Sequence, residues 1–119
     1  MRALTKSLGL LSDETRLRIL NVLVGGESCV CEVMKALGIT QSTASRGLTA
    51  LHDAGFLKLR KEGLWSLYSI DTEGMQPYQA RLVEIIIDEL KNNDTASKDR
   101  ENLKQAQRTG PRATSAAMR

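Results

Sequence analysis

The stretch that decides the fold is SCVCEVMKALGITQSTASRGLTALHDA, which occupies residues 28–54. Its first part, 28–37, has apolar residues at helical spacing and stops at Gly38, a residue type that commonly ends helices. Thr40 is a favourable N-cap for a second helix over 41–54. Two short helices joined by a tight turn have the proportions of a helix-turn-helix.

The outer faces of the helix 41–54 carry short polar side chains and one guanidinium. Its inward stripe consists of Ala44, Leu48 and Leu51, and no acidic residue occurs before Asp53. A helix that enters the DNA major groove needs this character, because carboxylates repel phosphate and long apolar groups would be left in water. A helix that only faces solvent more often mixes Glu and Lys. We therefore predict a recognition helix whose DNA contacts are Gln41, Ser42, Thr43, Ser45, Arg46 and Thr49.

A β-hairpin is predicted directly after this helix, over 56–70. Apolar and basic residues alternate through 57–60, and the turn residues 61–63 precede a second strand. The hairpin has the position of a wing, from which Arg60 and Lys61 are able to reach phosphate or the minor groove. The alternative is a hairpin that covers the core and carries solubilising cations, and the two roles are compatible.

Helices are also predicted on both sides of this central part. One covers 2–10, a second is capped by Ser12 or Asp13, and Pro77 opens a fifth that reaches about Lys91. A small winged domain cannot easily bury the apolar stripe of the fifth helix, although that helix could instead fold back on its own domain. The first and fifth helices are therefore candidates for a homodimer interface, which would set two recognition helices about one DNA turn apart. The predicted interface residues are Leu4, Leu8, Leu82, Ile85 and Ile86.

Length and charge divide the chain into a domain and a tail. The 119 residues suffice for one compact domain. Residues 1–91 hold 11 Lys/Arg and 11 Asp/Glu, so the formal net charge of +3 comes from 92–119. We expect a mainly α domain with a β-hairpin wing over 1–91, a winged helix-turn-helix with about five helices and two strands, and a flexible basic tail over 92–119. With no apolar run of membrane-spanning length and no signal-peptide pattern, we expect a cytoplasmic protein that binds no membrane.

Both cysteines, Cys29 and Cys31, lie at the start of the first helix of the helix-turn-helix. Two cysteines and one histidine cannot form a disulfide scaffold or a four-cysteine zinc module. Thiolates bind soft, thiophilic ions, and a helix N-terminus favours the thiolate. Residues two apart on an ideal helix lie about 200° apart around its axis. Both sulfurs can bind one ion only if this first turn unwinds or is already irregular, and two small half-buried residues remain the alternative.

Four segments of the chain carry a resemblance to a known family: ESCVCEVM at 27–34, DETRL at 13–17, SRGL at 45–48 and KEGLW within 61–68. With them the chain resembles the ArsR/SmtB family of metalloregulatory repressors, and more closely its arsenite-responsive members. ESCVCEVM is similar to the family's arsenic-binding ELCVCDLC. DETRL at 13–17 resembles the family's second helix, and SRGL at 45–48 is similar to the SRHL of its recognition helix. KEGLW, within 61–68, is similar to its wing. The resemblance covers about 4–90.

This resemblance implies a transcriptional repressor and not an enzyme. An apo homodimer would bind double-stranded operator DNA and be released when As(III) or Sb(III), acting as inducer without an organic cofactor, binds Cys29 and Cys31. Met34 stands where the family has a third cysteine, so hydroxide, chloride or a small thiol would complete the site. The family's alternative zinc site on the fifth helix is not expected, because 71–91 contain no histidine.

Three other functions are compatible with these residues. The first is a winged-helix repressor that senses Cd(II), Pb(II), Zn(II) or thiol oxidation through the same cysteines, with oxidation ranked lower because a disulfide at this spacing is strained. The second is a thiol enzyme, against which stand the absence of the CxxC redox spacing and of a visible catalytic base. The third is a protein-interaction module with inert cysteines.

Overall fold

Six helices and three short strands form the part of the chain that the structure, a computed structural model, describes, which is residues 1–106. None of these helices is long and apolar enough to cross a membrane. The predicted winged helix-turn-helix is confirmed, with one helix and one strand more than expected. The elements are α1 (Arg2–Leu11), α2 (Glu14–Leu23), β1 (Ser28–Cys29), α3 (Val30–Leu37), α4 (Gln41–Asp53), β2 (Leu57–Glu62), β3 (Trp65–Ile70), α5 (Pro77–Leu90) and α6 (Asp94–Gln105).

Side-chain caps and one glycine set the ends of the central helices. The Asp13 carboxylate accepts a hydrogen bond from the first turn of α2, and the Thr40 hydroxyl accepts one from the N–H of Thr43 in α4. Gly38 ends α3 with a φ of 67°, a left-handed conformation that glycine adopts without steric cost. Its N–H bonds to the carbonyl of Met34. The turn of the helix-turn-helix therefore follows from local sequence.

The core lies between α2, α4 and the hairpin. Ile19 of α2, Leu48 and Leu51 of α4 and Phe56 before β2 are fully buried, and burial of such side chains stabilises the fold by about 1.5–3 kcal/mol each. A Cβ atom at Gly47 of α4 would lie 2.5 Å from Cδ1 of Ile19, so the two helices approach at this glycine. This packing holds α4 with its polar face outward.

The sheet is antiparallel with the strand order β1-β3-β2. β2 pairs with β3 along its whole length, as expected for a wing. The additional strand β1 places Ser28 opposite Tyr68 and Cys29 opposite Leu67. The first cysteine thus belongs to the same sheet as the wing.

The prediction of a flexible tail over 92–119 is wrong for its first part. Helix α6 is capped by Asn93, whose side chain accepts a hydrogen bond from the N–H of Ala96, and it packs against α2 and α3. The predicted domain boundary at residue 91 moves accordingly beyond α6. The rest of the predicted tail, 107–119, lies outside the described residues.

Polar side chains hold α6 against the domain. Asp99, only 2% exposed, accepts hydrogen bonds from Nε and Nη2 of Arg18 at 2.7 and 2.9 Å. The Asp99 carboxylate raises the pKa of Arg18 above its ordinary value. Nη2 of Arg18 also donates to the carbonyl of Leu37, the last residue of α3, at 2.9 Å. The guanidinium of Arg18 therefore connects α2, α6 and the end of α3. Nearby, the side chain of Asn21 donates to the carbonyl of Ala96 and accepts from Arg100.

Helix α5 is fastened both to the recognition helix and to α1. Nε2 of Gln79 donates to the carbonyl of Ala54, just past α4, at 2.8 Å. The hydroxyls of Tyr78 and Ser7 lie 3.1 Å apart and join α5 to α1. The Tyr78–Ser7 contact thus connects the first turn of α5 to α1.

Candidate functional site

The two cysteines lie at a junction between a strand and a helix. Cys29 ends β1 and is the N-cap of α3, with an extended backbone (φ −86°, ψ 169°), whereas Cys31 lies in the first turn of α3. Their Cα atoms are 5.4 Å apart and their sulfurs are joined as a disulfide. The helix begins at Val30 instead of residue 28, so Cys29 lies before the first turn and Cys31 within it. The ideal-helix arrangement that would separate the sulfurs does not occur.

The surroundings of the cysteines fix their backbone. Cys29 is buried and Cys31 is half-buried. The N–H of Cys29 donates to Oε1 of Glu32 at 3.0 Å, so the first turn of α3 is capped by its own carboxylate. Met34 packs against the hydrophobic core. Among residues 1–106, no group of three or more His, Cys, Asp or Glu side chains is arranged to hold a metal ion.

The predicted recognition helix presents its polar residues outward. The hydroxyl of Thr43 lies 2.8 Å from that of Thr40 and is partly engaged in the helix cap. The inward stripe is buried as predicted, so the polar residues occupy the opposite faces. Of the six predicted contact residues, Thr43 and Ser45 are half-buried, and the exposed ones are Gln41, Ser42, Arg46 and Thr49.

The two predicted wing contacts are both engaged by neighbouring side chains. Nε and Nη2 of Arg60 donate to the two oxygens of Glu27 at 2.9 and 2.5 Å, and Nη2 also donates to Glu62 at 3.0 Å. These carboxylates, Glu27 foremost, raise the pKa of Arg60. Nζ of Lys61 donates to the hydroxyl of Ser66 at 2.7 Å. The sequence pointed to two cations directed at DNA, but it gave no sign that Glu27 lies beside Arg60, because only the strand register brings them together.

The predicted dimer residues fall into two groups. Leu4 and Leu8 of α1 and Ile85 of α5 are exposed, and Ile85 is 61% exposed. Leu82 and Ile86 are half-buried and pack against the core of their own domain. The apolar stripe of α5 is thus divided between the core, against which Leu82 and Ile86 pack, and the surface, where Ile85 is exposed.

Comparisons with known proteins find relatives of this chain. Residues 13–59 match the model of the bacterial regulatory protein, arsR family. A solved structure from Mycobacterium bovis, described as a homodimeric winged helix-turn-helix DNA-binding domain and a possible ArsR-family transcriptional regulator, is 32% identical with a TM-score of 0.62 and covers 71% of this chain and 75% of that chain. The chain belongs to the ArsR family.

Two curated relatives of this ArsR-family chain carry names that refer to resistance. The arsenic resistance transcriptional regulator ArsR1 of Pseudomonas putida is 39% identical over 77 residues, 64% of this chain and 60% of that protein. A cadmium resistance transcriptional regulatory protein CadC homolog of Staphylococcus aureus is 45% identical over 64 residues, 53% of each chain. This chain thus matches between half and two thirds of the length of these relatives. All three relatives are named as regulators of transcription and none as an enzyme, in agreement with the family that the sequence resembles.

Proposed function

We propose that this ArsR-family chain is a homodimeric transcriptional repressor that binds operator DNA and leaves it when As(III) or Sb(III) binds Cys29 and Cys31. The observation that carries the proposal is the contact between the two sulfurs at the start of the helix-turn-helix. The name of ArsR1, an arsenic resistance regulator, supports a thiophilic inducer. As(III) and Sb(III) are soft ions that favour thiolate ligands.

The two thiols of Cys29 and Cys31 fit an ion that takes two sulfur ligands from the protein. The inducer binds the reduced thiols, so the disulfide must first be opened by a reductant such as a small thiol. Arsenous acid then condenses with both thiols: two As–S bonds form, two As–O bonds break, and each thiol proton leaves in a water molecule. The third position on As(III) keeps its hydroxide or exchanges it for chloride or a small thiol. The oxidation state of arsenic does not change.

We assign DNA binding to α4, which would enter the major groove. Its exposed residues Gln41 and Thr49 offer hydrogen-bonding groups for base edges, and Arg46 offers a cation for phosphate or guanine. Two-fold symmetry through the α1 and α5 surface would present two such helices to successive turns of DNA. The homodimeric state named for the M. bovis relative supports this assembly.

Release follows from where the two cysteines lie. Cys29 belongs to the sheet of the wing and Cys31 to α3, which packs on the recognition helix. An ion bound to both sulfurs sets the distance between strand and helix. If DNA binding prefers another distance, the ion and the DNA weaken each other's binding, typically by a factor of about 5–150 in coupled sites.

The disulfide between Cys29 and Cys31 favours a second candidate inducer, an oxidant such as hydrogen peroxide. A peroxide that takes two electrons from the thiols would form this bond and be reduced to water. Cd(II), Pb(II) and Zn(II) belong to the same group of alternatives, and the CadC homolog is named for cadmium resistance. Each of these inducers would use the same two sulfurs.

The test is fluorescence anisotropy of labelled promoter DNA from upstream of the chain's own gene, with reduced protein and increasing As(III). Wild type should bind and be released, whereas Cys29→Ser and Cys31→Ser should bind and stay bound. Met34→Leu is the matched control on the same helix and should respond like wild type. If As(III) changes nothing, titration with Cd(II) and with a peroxide identifies the inducer. No sequence-specific binding by wild type would contradict the repressor itself.

A further inference from the structure

The guanidinium of Arg60 is held between two carboxylates at the edge of the wing. Its Nε and Nη2 form two parallel hydrogen bonds with Glu27, at 2.9 and 2.5 Å, and Nη2 forms a third with Glu62 at 3.0 Å. The forked pairing is the most directional contact available between arginine and a carboxylate. With Nε and Nη2 donating to these carboxylates, the guanidinium has fewer N–H groups left to offer a phosphate. Arg60 is therefore a poor phosphate contact in this arrangement.

The same contact joins the wing to the segment that carries the cysteines. Glu27 lies two residues before Cys29 in the chain. In the sheet, Cys29 lies opposite Leu67 and Leu67 lies opposite Arg60, so these three residues form one row across β1, β3 and β2. β1 contributes only two residues to backbone pairing, and both pair with β3. The side chain of Glu27 thus adds a direct connection from the cysteine segment to β2.

We propose that Arg60 is a positioning residue that transmits a change at the cysteine pair to the wing through Glu27, instead of a residue that contacts phosphate. The inference rests on the proposed function, since the change at Cys29 is the binding of the inducer. Movement of Cys29 shifts Glu27 on the same short stretch of backbone, and Glu27 carries the guanidinium and β2 with it. The wing then leaves its DNA-bound position together with α3.

The first experiment measures operator binding with and without As(III), at several salt concentrations, for Arg60→Ala and Glu27→Gln. In a dimer each substitution occurs twice, so loss of a phosphate contact would lower the steepness of log K against log salt by about 1.8, whereas loss of a positioning residue leaves the steepness as in wild type. Both variants should show at least about a fivefold smaller As(III)-induced loss of affinity than wild type, the lower end of the usual coupling range. Lys58→Ala removes an exposed cation of the same strand and should keep the full response.

Glu27→Gln also distinguishes the two possible roles of Arg60, because a phosphate contact and a positioning residue predict different As(III) responses. If Arg60 contacts phosphate, removing the competing carboxylate should tighten DNA binding and preserve the As(III) response. If Arg60 positions the wing, the As(III) response falls, and affinity without As(III) changes only by the general effect of one lost carboxylate charge. A lower salt slope in Arg60→Ala, or tighter binding with a full response in Glu27→Gln, would overturn the proposal.

The second experiment uses neither DNA nor As(III), so it remains informative if the proposed inducer is wrong. Amide hydrogen exchange is compared between the reduced protein and its Cys29–Cys31 disulfide form. In wild type the exchange rates should differ in β3 and also in β2. In Arg60→Ala the difference should remain in β3 and disappear from β2. An unchanged difference in β2 would show that the backbone ladder alone transmits the change, which contradicts a role for Arg60.

Discussion

Replacement of Asp99 by asparagine should loosen the attachment of α6. The carboxylate is 2% exposed and accepts two hydrogen bonds from Arg18 at 2.7 and 2.9 Å. Breaking a buried ion pair typically costs about 3–5 kcal/mol, and one hydrogen bond to a charged group contributes about 1.5–3 kcal/mol. The Arg18 side chain is 27% exposed and keeps its bond to the carbonyl of Leu37, so part of this loss is offset. We therefore expect Asp99→Asn to lower the free energy of unfolding by about 2–3 kcal/mol.

Urea unfolding followed by the fluorescence of Trp65, the one tryptophan of the chain, measures this change. With a slope of about 1–3 kcal/mol per molar urea, the midpoint should fall by about 0.7–3 M. Protomer concentration is kept constant, because association stabilises the folded state. Asp88→Asn is the matched control, since this exposed carboxylate of α5 lies 3.8 Å from the amine of Lys91 and its loss should cost at most about 1 kcal/mol. Equal midpoints for the two variants would refute the reasoning that the buried ion pair holds α6.

Two further predictions concern the surfaces assigned to DNA and to the second protomer. Arg46→Ala should weaken operator binding and lower the steepness of log K against log salt by about 1.8, because the dimer loses two cations that are assigned to the DNA. Anisotropy at several salt concentrations measures both, and a steepness equal to that of wild type would contradict a phosphate contact. Ile85→Glu should convert the dimer into monomers in sedimentation velocity, because a carboxylate would be buried in the interface assigned to α1 and α5. The control is Leu64→Glu, which also replaces an exposed apolar residue but lies in the wing, and it should remain a dimer. A dimeric Ile85→Glu variant would place the interface elsewhere.

Most helices of the fold could be predicted because their signals are local. Asp13 and Thr40 cap α2 and α4 as expected, and Gly38 ends α3. Helix α6 was missed because its attachment does not depend on an apolar stripe. It is held by Asp99 and by contacts to Asn21, whose partners lie more than 70 residues away in the chain. The local signals for this helix were the N-cap Asn93, Asp94 in the first turn and Lys104 in the last turn.

The candidate site was predicted in composition but not in geometry. The sequence placed both cysteines at the start of a helix, but it set that start two residues too early. The two-residue strand β1, which gives Cys29 its extended backbone, is too short to show the alternation that marks strands. Pairing with Leu67 of β3 determines it instead. The register of the wing likewise decides that Arg60 contacts a carboxylate, and such non-local pairing leaves no pattern in the local sequence.

The strand order β1-β3-β2 also limits how two copies of this chain can associate. An open edge strand offers unpaired N–H and C=O groups to a strand of another molecule, the usual route to edge-to-edge aggregation. Here one edge strand is only two residues long, and the other has the sequence LKLRKE, with four charged residues in six. Short and charged edges oppose the growth of a continuous sheet from one molecule into the next. Association through helices is then the favoured route, which under the proposed function leaves each hairpin available to its own DNA half-site.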